Sequence, residues 1–236
     1  MKKGNDCFKN FIRNYWNYYR QLENEFLATR RYVDFNEGNF KTYSIEFLKL
    51  YQAVCSEIDV IGKAIAGECN PKFRPEDTKN NIYKWWFEIQ NKIEYGNDYD
   101  NVSGNRCMLK LAKVCLLDEI SITPWDGFEV VTYLDKNKAL RYKAQSGHGA
   151  PDWWNAYNKV KHSRTYYEGD NSTERNYAKA NLGNVIKAFA ALYILEKSYM
   201  EAVGTQNNLE AFADYRVLFD TVENATSLDI DELFKD

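Results

Sequence analysis

The sequence predicts an all-α protein, a helical bundle of four to five long helices with one irregular, partly β insertion near residues 118–150. The first observation behind this prediction is that apolar residues recur every three to four positions through several long segments, which is the spacing of one helix face. The second is that only four prolines occur in 236 residues, so long helices can run without interruption. The third is that the predicted loops are short, as is typical of antiparallel neighbours in a bundle.

Three helices are predicted in the first 94 residues. The first covers residues 6–33. The second covers residues 42–68, with Ser44 placed to cap its start. The third covers residues 78–94. Each segment has a continuous apolar face, so we expect each helix to pack against others.

The middle of the chain gives a weaker pattern before helices return. Residues 105–117 form a dense apolar run that fits either a helix or a buried strand. Short strands are predicted at residues 119–123 and 128–134. Further helices are predicted at residues 152–164 and, as the last long helix, at residues 174–202.

Charge and pattern divide the chain into three regions. Residues 1–40 are the N-terminal helix, expected to be an added element or a dimerisation arm, and residues 41–204 are the bundle with its insertion. Residues 205–236 are an acidic C-terminal segment. Residues 136–164 contain seven basic side chains and one acidic side chain, which indicates either a local anion site or ordinary surface scatter. The net charge of −3 argues against a general nucleic-acid coat protein.

The composition excludes several classes of protein. The five cysteines include no pair with the spacing of a redox or zinc motif. Two histidines and scattered cysteines are too few for a zinc site, so we expect no metal and no cofactor. The first 30 residues are charged and aromatic rather than a signal peptide, and no apolar run approaches a membrane span. These features predict a cytoplasmic protein without membrane contact.

The helix predicted at residues 152–164 contains the sharpest chemical pattern in the chain. Asp152 is expected to be its N-cap. Trp154, Asn158 and His162 follow at intervals of four residues, which places them on one helix face. A structural interpretation is also open, in which the histidine is partly buried in a helix contact rich in tryptophan.

Chemistry on RNA is the functional interpretation of this face. Histidine titrates near neutral pH, so His162 is the candidate general base or acid for cleavage next to a 2′-hydroxyl. Asn158 is the candidate to orient the imidazole or to bind a phosphate oxygen. The basic side chains Lys159, Lys161 and Arg164 are the candidate phosphate-binding groups, although such a run is usually a solvated face.

Two acids in the second predicted helix are candidate orienting residues. Glu57 or Asp59 could orient His162 or a basic residue beside it. Asp59 also lies four residues before Lys63, so a surface ion pair between these two is an alternative explanation.

The pattern Tyr157-Asn158-x-x-Lys161-His162, followed by Arg164, resembles the signature helix of the HEPN superfamily. The family's signature is an Arg, usually followed by a polar residue, with a His a few positions on. Asn158 and His162 match the polar residue and the His, and Tyr157 occupies the Arg position. Weaker support comes from residues 57–59, which are similar to the acidic helix that faces the signature helix in this superfamily.

The resemblance implies a small helical bundle of bacterial toxin–antitoxin or phage-defence type. Many members are metal-independent ribonucleases with an active site across a homodimer interface. The implied partners are RNA, a second copy of the chain, and an antitoxin or other partner protein. Because Tyr157 stands in the Arg position, where it could take an orienting role, the resemblance also fits a non-catalytic module that binds a partner protein or a nucleotide.

Overall fold

The computed structural model describes residues 2–94, 113–117, 120–145, 149–167, 173–203 and 219–221. The helices in these ranges are α1 (Lys2–Phe11), α2 (Asn17–Ala28), α3 (Ile45–Cys69), α4 (Ile82–Glu94), α5 (Asp152–Ser163) and α6 (Leu182–Val203). Two small antiparallel sheets accompany them. The prediction of a mostly helical protein with a β insertion is therefore confirmed. The long helices are α3 and α6, with 25 and 22 residues.

The N-terminal helix is interrupted by a π-helical turn. A single helix was predicted over residues 6–33, whereas α1 and α2 are joined by the π turn Ile12–Trp16 and followed by the 3-10 turn Thr29–Arg31. The buried side chains of this segment pack into the core of the molecule. The Phe11 ring meets the Tyr199 ring of α6 edge-on at 5.7 Å, and the Phe26 ring stacks on the Phe189 ring at 4.7 Å.

Helix α3 is the centre of the bundle and packs against α2, α4, α5 and α6. It begins where predicted to within three residues, because the Ser44 hydroxyl accepts a hydrogen bond from the Phe47 N–H at 3.0 Å. Gly62 lets α4 approach closely. A Cβ at this position would lie 2.8 Å from the Trp85 ring, so a larger residue would push the two helices apart.

Two helices begin later than predicted because an asparagine caps each of them. The Asn81 side chain accepts from the Lys84 N–H at 3.1 Å, which starts α4 after residue 81 rather than at residue 78. The Asn181 side chain accepts from the Asn184 N–H at 3.0 Å and precedes α6. The segment predicted to begin that helix at residue 174 instead contains a 3-10 turn, Asn176–Lys179.

The described residues contain more strand than predicted, both within the insertion and outside it. Strand β1 (Val114–Leu116) pairs with β2 (Ile120–Ile122) and also with the later strand β5 (Phe219–Thr221). Strands β3 (Val130–Leu134) and β4 (Leu140–Ala144) form a hairpin. Strands β2 and β3 lie within predicted strands. Strand β1 lies at the end of the run 105–117, for which both a helix and a strand were considered, and β4 and β5 were not predicted. Residues 105–112 and most of 205–236 lie outside the described ranges.

Tryptophan side chains attach the insertion to the bundle. The Trp86 indole donates to the Phe128 carbonyl at 3.1 Å and stacks on the Trp125 ring at 4.5 Å. The Gln90 side chain exchanges two hydrogen bonds with the backbone of Val130. Because these contacts are buried, they fix the sheet region against α4.

Helix α5 is held at its N-terminus by both the insertion and the bundle. Asp152 is not the N-cap that was predicted: Pro151 has a non-helical backbone and takes that position, so Asp152 becomes the first helical residue. Its carboxylate instead binds the Lys187 ammonium of α6 at 2.6 Å. The Trp153 indole donates to the Pro124 carbonyl at 2.8 Å, and its own carbonyl accepts from the Tyr51 hydroxyl.

Candidate nucleic-acid interface

Helix α5 turns its aromatic residues inward and its basic residues outward. Trp153, Trp154, Tyr157 and Val160 are buried, which follows from their helical spacing. The exposed side chains at its C-terminal end are polar and basic, namely Lys159, Lys161 and His162, with Arg164 just beyond the helix end. Lys161 lies over the Tyr157 ring, on the same side of the helix as the aromatic residues. Helix α5 therefore has the predicted phosphate-binding groups at the surface and its own two tryptophans, Trp153 and Trp154, in the core.

His162 lies exposed in the last turn of α5. Among the described residues, none makes a hydrogen bond or an ion pair with its imidazole. Asn158 lies one turn earlier and is half-buried, with no hydrogen-bonding partner for its side chain in the same ranges. Both groups are therefore available to a ligand rather than committed to the fold.

A groove of about 270 Å³ runs along α5 and brings together several of the predicted residues. We call it the α3–α5 groove. It is lined by Cys55, Ser56 and Asp59 of α3, by residues 80–83 at the start of α4, and by Trp154, Tyr157, Asn158 and Lys161 of α5. Four sequence-predicted residues thus share one site. His162, Lys159 and Arg164 do not line this groove, and neither does Glu57.

Lys161 supplies the positive charge of the groove. Its ammonium lies 5.6 Å from the centre of the Tyr157 ring, a cation–π geometry. The Asp59 carboxylate on the opposite wall is engaged by the Lys63 ammonium and by the Trp85 indole. Because Asp59 is already neutralised by Lys63, the predicted pair of these two residues forms and Lys161 keeps its charge for a ligand.

Tyr157 is packed as a structural residue. Its ring meets the Tyr51 ring edge-on at 5.9 Å and contacts the Trp154 ring at 5.3 Å. Burial raises the pKa of Tyr157 to about 12, with smaller contributions from Cys55 and Asp59, so the phenol stays neutral at physiological pH. Position 157 therefore carries no charge of its own.

A second depression lies at the C-terminal end of α5, with a volume of about 430 Å³. We call it the tyrosine depression. It is lined by Tyr43, Arg164, Thr165, Tyr167, Thr173, Glu174, Arg175, Tyr177 and Ala178. The Arg175 guanidinium lies 5.5 Å from the centre of the Tyr167 ring, and the Tyr43 and Tyr167 side chains are about half exposed, at 48% and 51%. Exposed rings beside arginines are the groups on which unpaired bases stack.

Sequence reasoning found Arg164 but missed the rest of this depression. The available signal was the pair Tyr166-Tyr167, which follows Arg164 closely. Tyr43 gave no signal, because it reaches the site through a bridge to Asn181, far along the chain. Arg175 gave none either, although it lies only eight residues after Tyr167. An isolated bridge joins Tyr167 to Arg175.

Glu57 lies on another side of α3 from Asp59, since two residues along a helix are turned by about 200°. Its electrostatic neighbours are Tyr15 and Tyr18 of the N-terminal helix and Glu196 of α6. Burial raises the pKa of Glu57 to about 7. Glu196 is fully buried, neither of its carboxylate oxygens has a partner in the described ranges, and burial raises its pKa as well. The structure thus does not bring Glu57 to the groove.

A larger cavity, of about 560 Å³, lies between β2, the turn before β3 and the start of α5. The Asp152 and Lys187 side chains that line it bind each other. It contains none of the sequence-predicted catalytic or phosphate-binding residues. We therefore do not assign this cavity to the interface.

In the described ranges, no three His, Cys, Asp or Glu side chains lie close enough together to hold a metal ion. None of the described helices is long and apolar enough to cross a lipid bilayer. No protein-family model matches the chain, and no curated protein or solved structure matches it with significance. A function is therefore proposed from the geometry around α5.

Proposed function

We propose that the protein is a HEPN-like RNA-binding protein of bacterial defence or toxin–antitoxin type that cleaves RNA without a metal, using His162. The observation that carries this proposal is the state of His162, which is exposed, unbonded in the described ranges and one turn from the unpartnered Asn158. It also lies on the helix that borders both the α3–α5 groove and the tyrosine depression. A single strand crossing α5 would pass this imidazole.

In this proposal the reaction is an internal attack at phosphorus. The 2′-hydroxyl loses its proton to a neutral His162 imidazole and its oxygen bonds to phosphorus, while the bond from phosphorus to O5′ breaks. The leaving O5′ takes a proton from an imidazolium. The products are a 2′,3′-cyclic phosphate and a 5′-hydroxyl end. In a homodimer, two copies of α5 would supply one base and one acid.

The basic side chains stabilise the charge that develops on the phosphate oxygens. The Lys161 ammonium lies over the Tyr157 ring. It is therefore the best substitute for the family's Arg. Lys159 and Arg164 flank it on the exposed side of the helix end. Asn158 would hold a phosphate oxygen or fix the substrate against α5.

The experiment that tests the function identifies the products. The purified full-length protein is incubated with a mixed pool of transfer and messenger RNA in the presence of EDTA, and the new ends are analysed chemically. We expect 2′,3′-cyclic phosphate and 5′-hydroxyl ends. Products with 5′-phosphate ends, or cleavage that requires added magnesium, would contradict the proposed mechanism.

A second candidate function is a non-catalytic module that binds a partner protein or a nucleotide. The observation that favours it is the burial of Tyr157 in the position of the family's Arg. In this case α5 binds its ligand without cleaving it. Tight RNA or nucleotide binding, together with no cleavage by a folded homodimer, would support this candidate over the ribonuclease.

A further inference from the structure

Asn80, a residue that lines the α3–α5 groove, has an acceptor that the described part of the protein leaves without a donor. Asn80 is 8% exposed and lines the groove. Its side-chain N–H donates to the Arg74 carbonyl at 2.7 Å, which fixes the orientation of the amide because a carbonyl only accepts. The Asn80 Oδ1 is buried and has no partner in the described ranges. A buried acceptor of this kind favours any ligand that brings a donor.

The wall formed by α5 supplies complementary groups. The half-buried Asn158 amide lines the groove and has no partner in the described part of the chain, so it can both donate and accept. Lys161 lines the same wall and carries the unneutralised charge. The site therefore offers an acceptor at Asn80, an amide at Asn158 and a cation at Lys161.

The size and the aromatic lining of the groove limit what can occupy it. Its volume of about 270 Å³ is just below the range of roughly 300–1,000 Å³ that drug-sized ligands occupy. Trp154 and Tyr157, both almost fully buried, form part of its lining together with Tyr83. A small planar ring with a hydrogen-bond donor on its edge and an anion attached fits these dimensions and charges.

We propose that the α3–α5 groove binds one nucleotide unit, with a base edge donating to Asn80 and the phosphate at Lys161. This inference rests on the proposed RNA-binding function and gives it a subsite. Asn158, which lines the groove, and His162 are one helical turn apart, about 6 Å. A nucleotide whose base is held in the groove therefore has a neighbouring phosphate within reach of His162. The subsite selects the nucleotide next to the bond that is cleaved.

The test measures binding of mononucleotides to the full-length His162→Ala protein, in which cleavage plays no part. Titration calorimetry compares AMP with purine riboside monophosphate, which is AMP without its amino group. We expect AMP to bind at least about tenfold more tightly, because the analogue leaves the Asn80 acceptor unpaired. Equal affinities for the two ligands would overturn the proposal, as would the absence of AMP binding at millimolar concentration.

Three variants locate the binding site. Ser56→Phe fills the groove from an exposed position on α3, and we expect it to abolish AMP binding while the helical circular-dichroism signal and melting temperature are kept. Asn158→Ala and Lys161→Gln should each weaken AMP binding by about tenfold. Lys72→Gln, a change at an exposed charge that does not line the groove, is the matched control. Undiminished AMP binding by Ser56→Phe would overturn the proposal.

The outcomes separate the subsite from the proposed function. AMP binding that Ser56→Phe abolishes, in a protein that never cleaves RNA, would keep the subsite and reject the ribonuclease. RNA cleavage by the wild-type chain that is unchanged by Ser56→Phe would keep the ribonuclease and reject the subsite.

Discussion

The Lys161 ammonium lies 5.6 Å from the centre of the Tyr157 ring. Tyr157 is buried and neutral, and in the proposed resemblance it corresponds to the Arg of the HEPN signature. Lys161, four residues later, covers the same part of the helix surface. In the proposed ribonuclease, the cation that the resemblance leads one to expect at position 157 is thus replaced by a cation one turn further along. Lys161 is therefore the basic residue of α5 whose substitution tests the proposed ribonuclease most directly.

Replacing Lys161 by Gln is expected to lower kcat/KM for RNA cleavage by about tenfold or more, since a hydrogen bond to a charged group contributes roughly 1.5–3 kcal/mol. Lys161→Arg should keep most of the activity, because the charge remains. The cleavage rates of both variants, measured beside Lys72→Gln, check this prediction. An unchanged rate for Lys161→Gln would remove Lys161 from the site.

The arginines of the tyrosine depression are expected to contact RNA phosphates. Arg164→Gln and Arg175→Gln should each reduce the slope of log K against log salt by about 0.7, the value for one phosphate contact on a single strand. Arg31→Gln, a change at an exposed arginine elsewhere, is the control. Filter-binding isotherms at several salt concentrations measure the slopes, and slopes equal to that of the wild type would place the strand elsewhere.

The buried carboxyl of Glu57 makes the stability of the fold depend on pH. Burial raises its pKa from 4.5 to about 7, so the folded protein holds this proton more tightly than the unfolded chain does. Stability should be highest below pH 4.5 as far as this group is concerned, fall as the pH rises from about 4.5 to 7, and stay lower above that, by roughly 2–3 kcal/mol.

The variant Glu57→Gln tests this pH dependence. It should raise the free energy of unfolding at about pH 8 and have little effect at about pH 4.5, because glutamine resembles the neutral acid. Urea titrations at both pH values measure it, with Glu76→Gln, a change at an exposed acid, as the control. Equal effects of Glu57→Gln at both pH values would show that Glu57 does not titrate in this range.

The contact between α3 and α4 has no room for a side chain at Gly62. Gly62→Ala is expected to destabilise the protein by about 1–3 kcal/mol, because the added Cβ would lie 2.8 Å from the Trp85 ring. At Gly149 the nearest atom to an added Cβ is 3.5 Å away, so Gly149→Ala should change stability little. Denaturant midpoints of the two variants make the comparison. An unchanged denaturant midpoint for Gly62→Ala would mean that α4 can shift to accommodate the added Cβ.

The sequence predicts those elements whose signals are local. The apolar spacing and the Ser44 cap place α3 within three residues of its observed start, and the aromatic and basic spacing places α5 within one residue of its end. Strand β5 is different, because it exists through pairing with β1 across about a hundred residues. Pairing between segments so far apart in the chain gives no local pattern in the sequence.

The candidate site shows the same division. Asn158, Lys161 and His162 were found because they lie together on one helix. Asn80 was missed, because its proposed role depends on a buried oxygen that has no partner in the described ranges and belongs to a residue lining a groove between three helices. Glu57 was also predicted to orient His162. It lies two residues before Asp59 on α3, and helix geometry therefore directs it toward the N-terminal helix instead.

The most direct test of the proposed function is the single-turnover rate of RNA cleavage, in EDTA, by the wild-type protein and by His162→Ala. His148→Ala, which changes the other histidine of the chain, is the matched control. We predict that the wild-type protein and His148→Ala cleave alike, and that His162→Ala loses at least about 100-fold in rate, the scale of general acid–base catalysis, while its RNA affinity is kept. Cleavage by His162→Ala at the wild-type rate, or no cleavage by any of the three folded proteins, would contradict the role of His162 as the catalytic group.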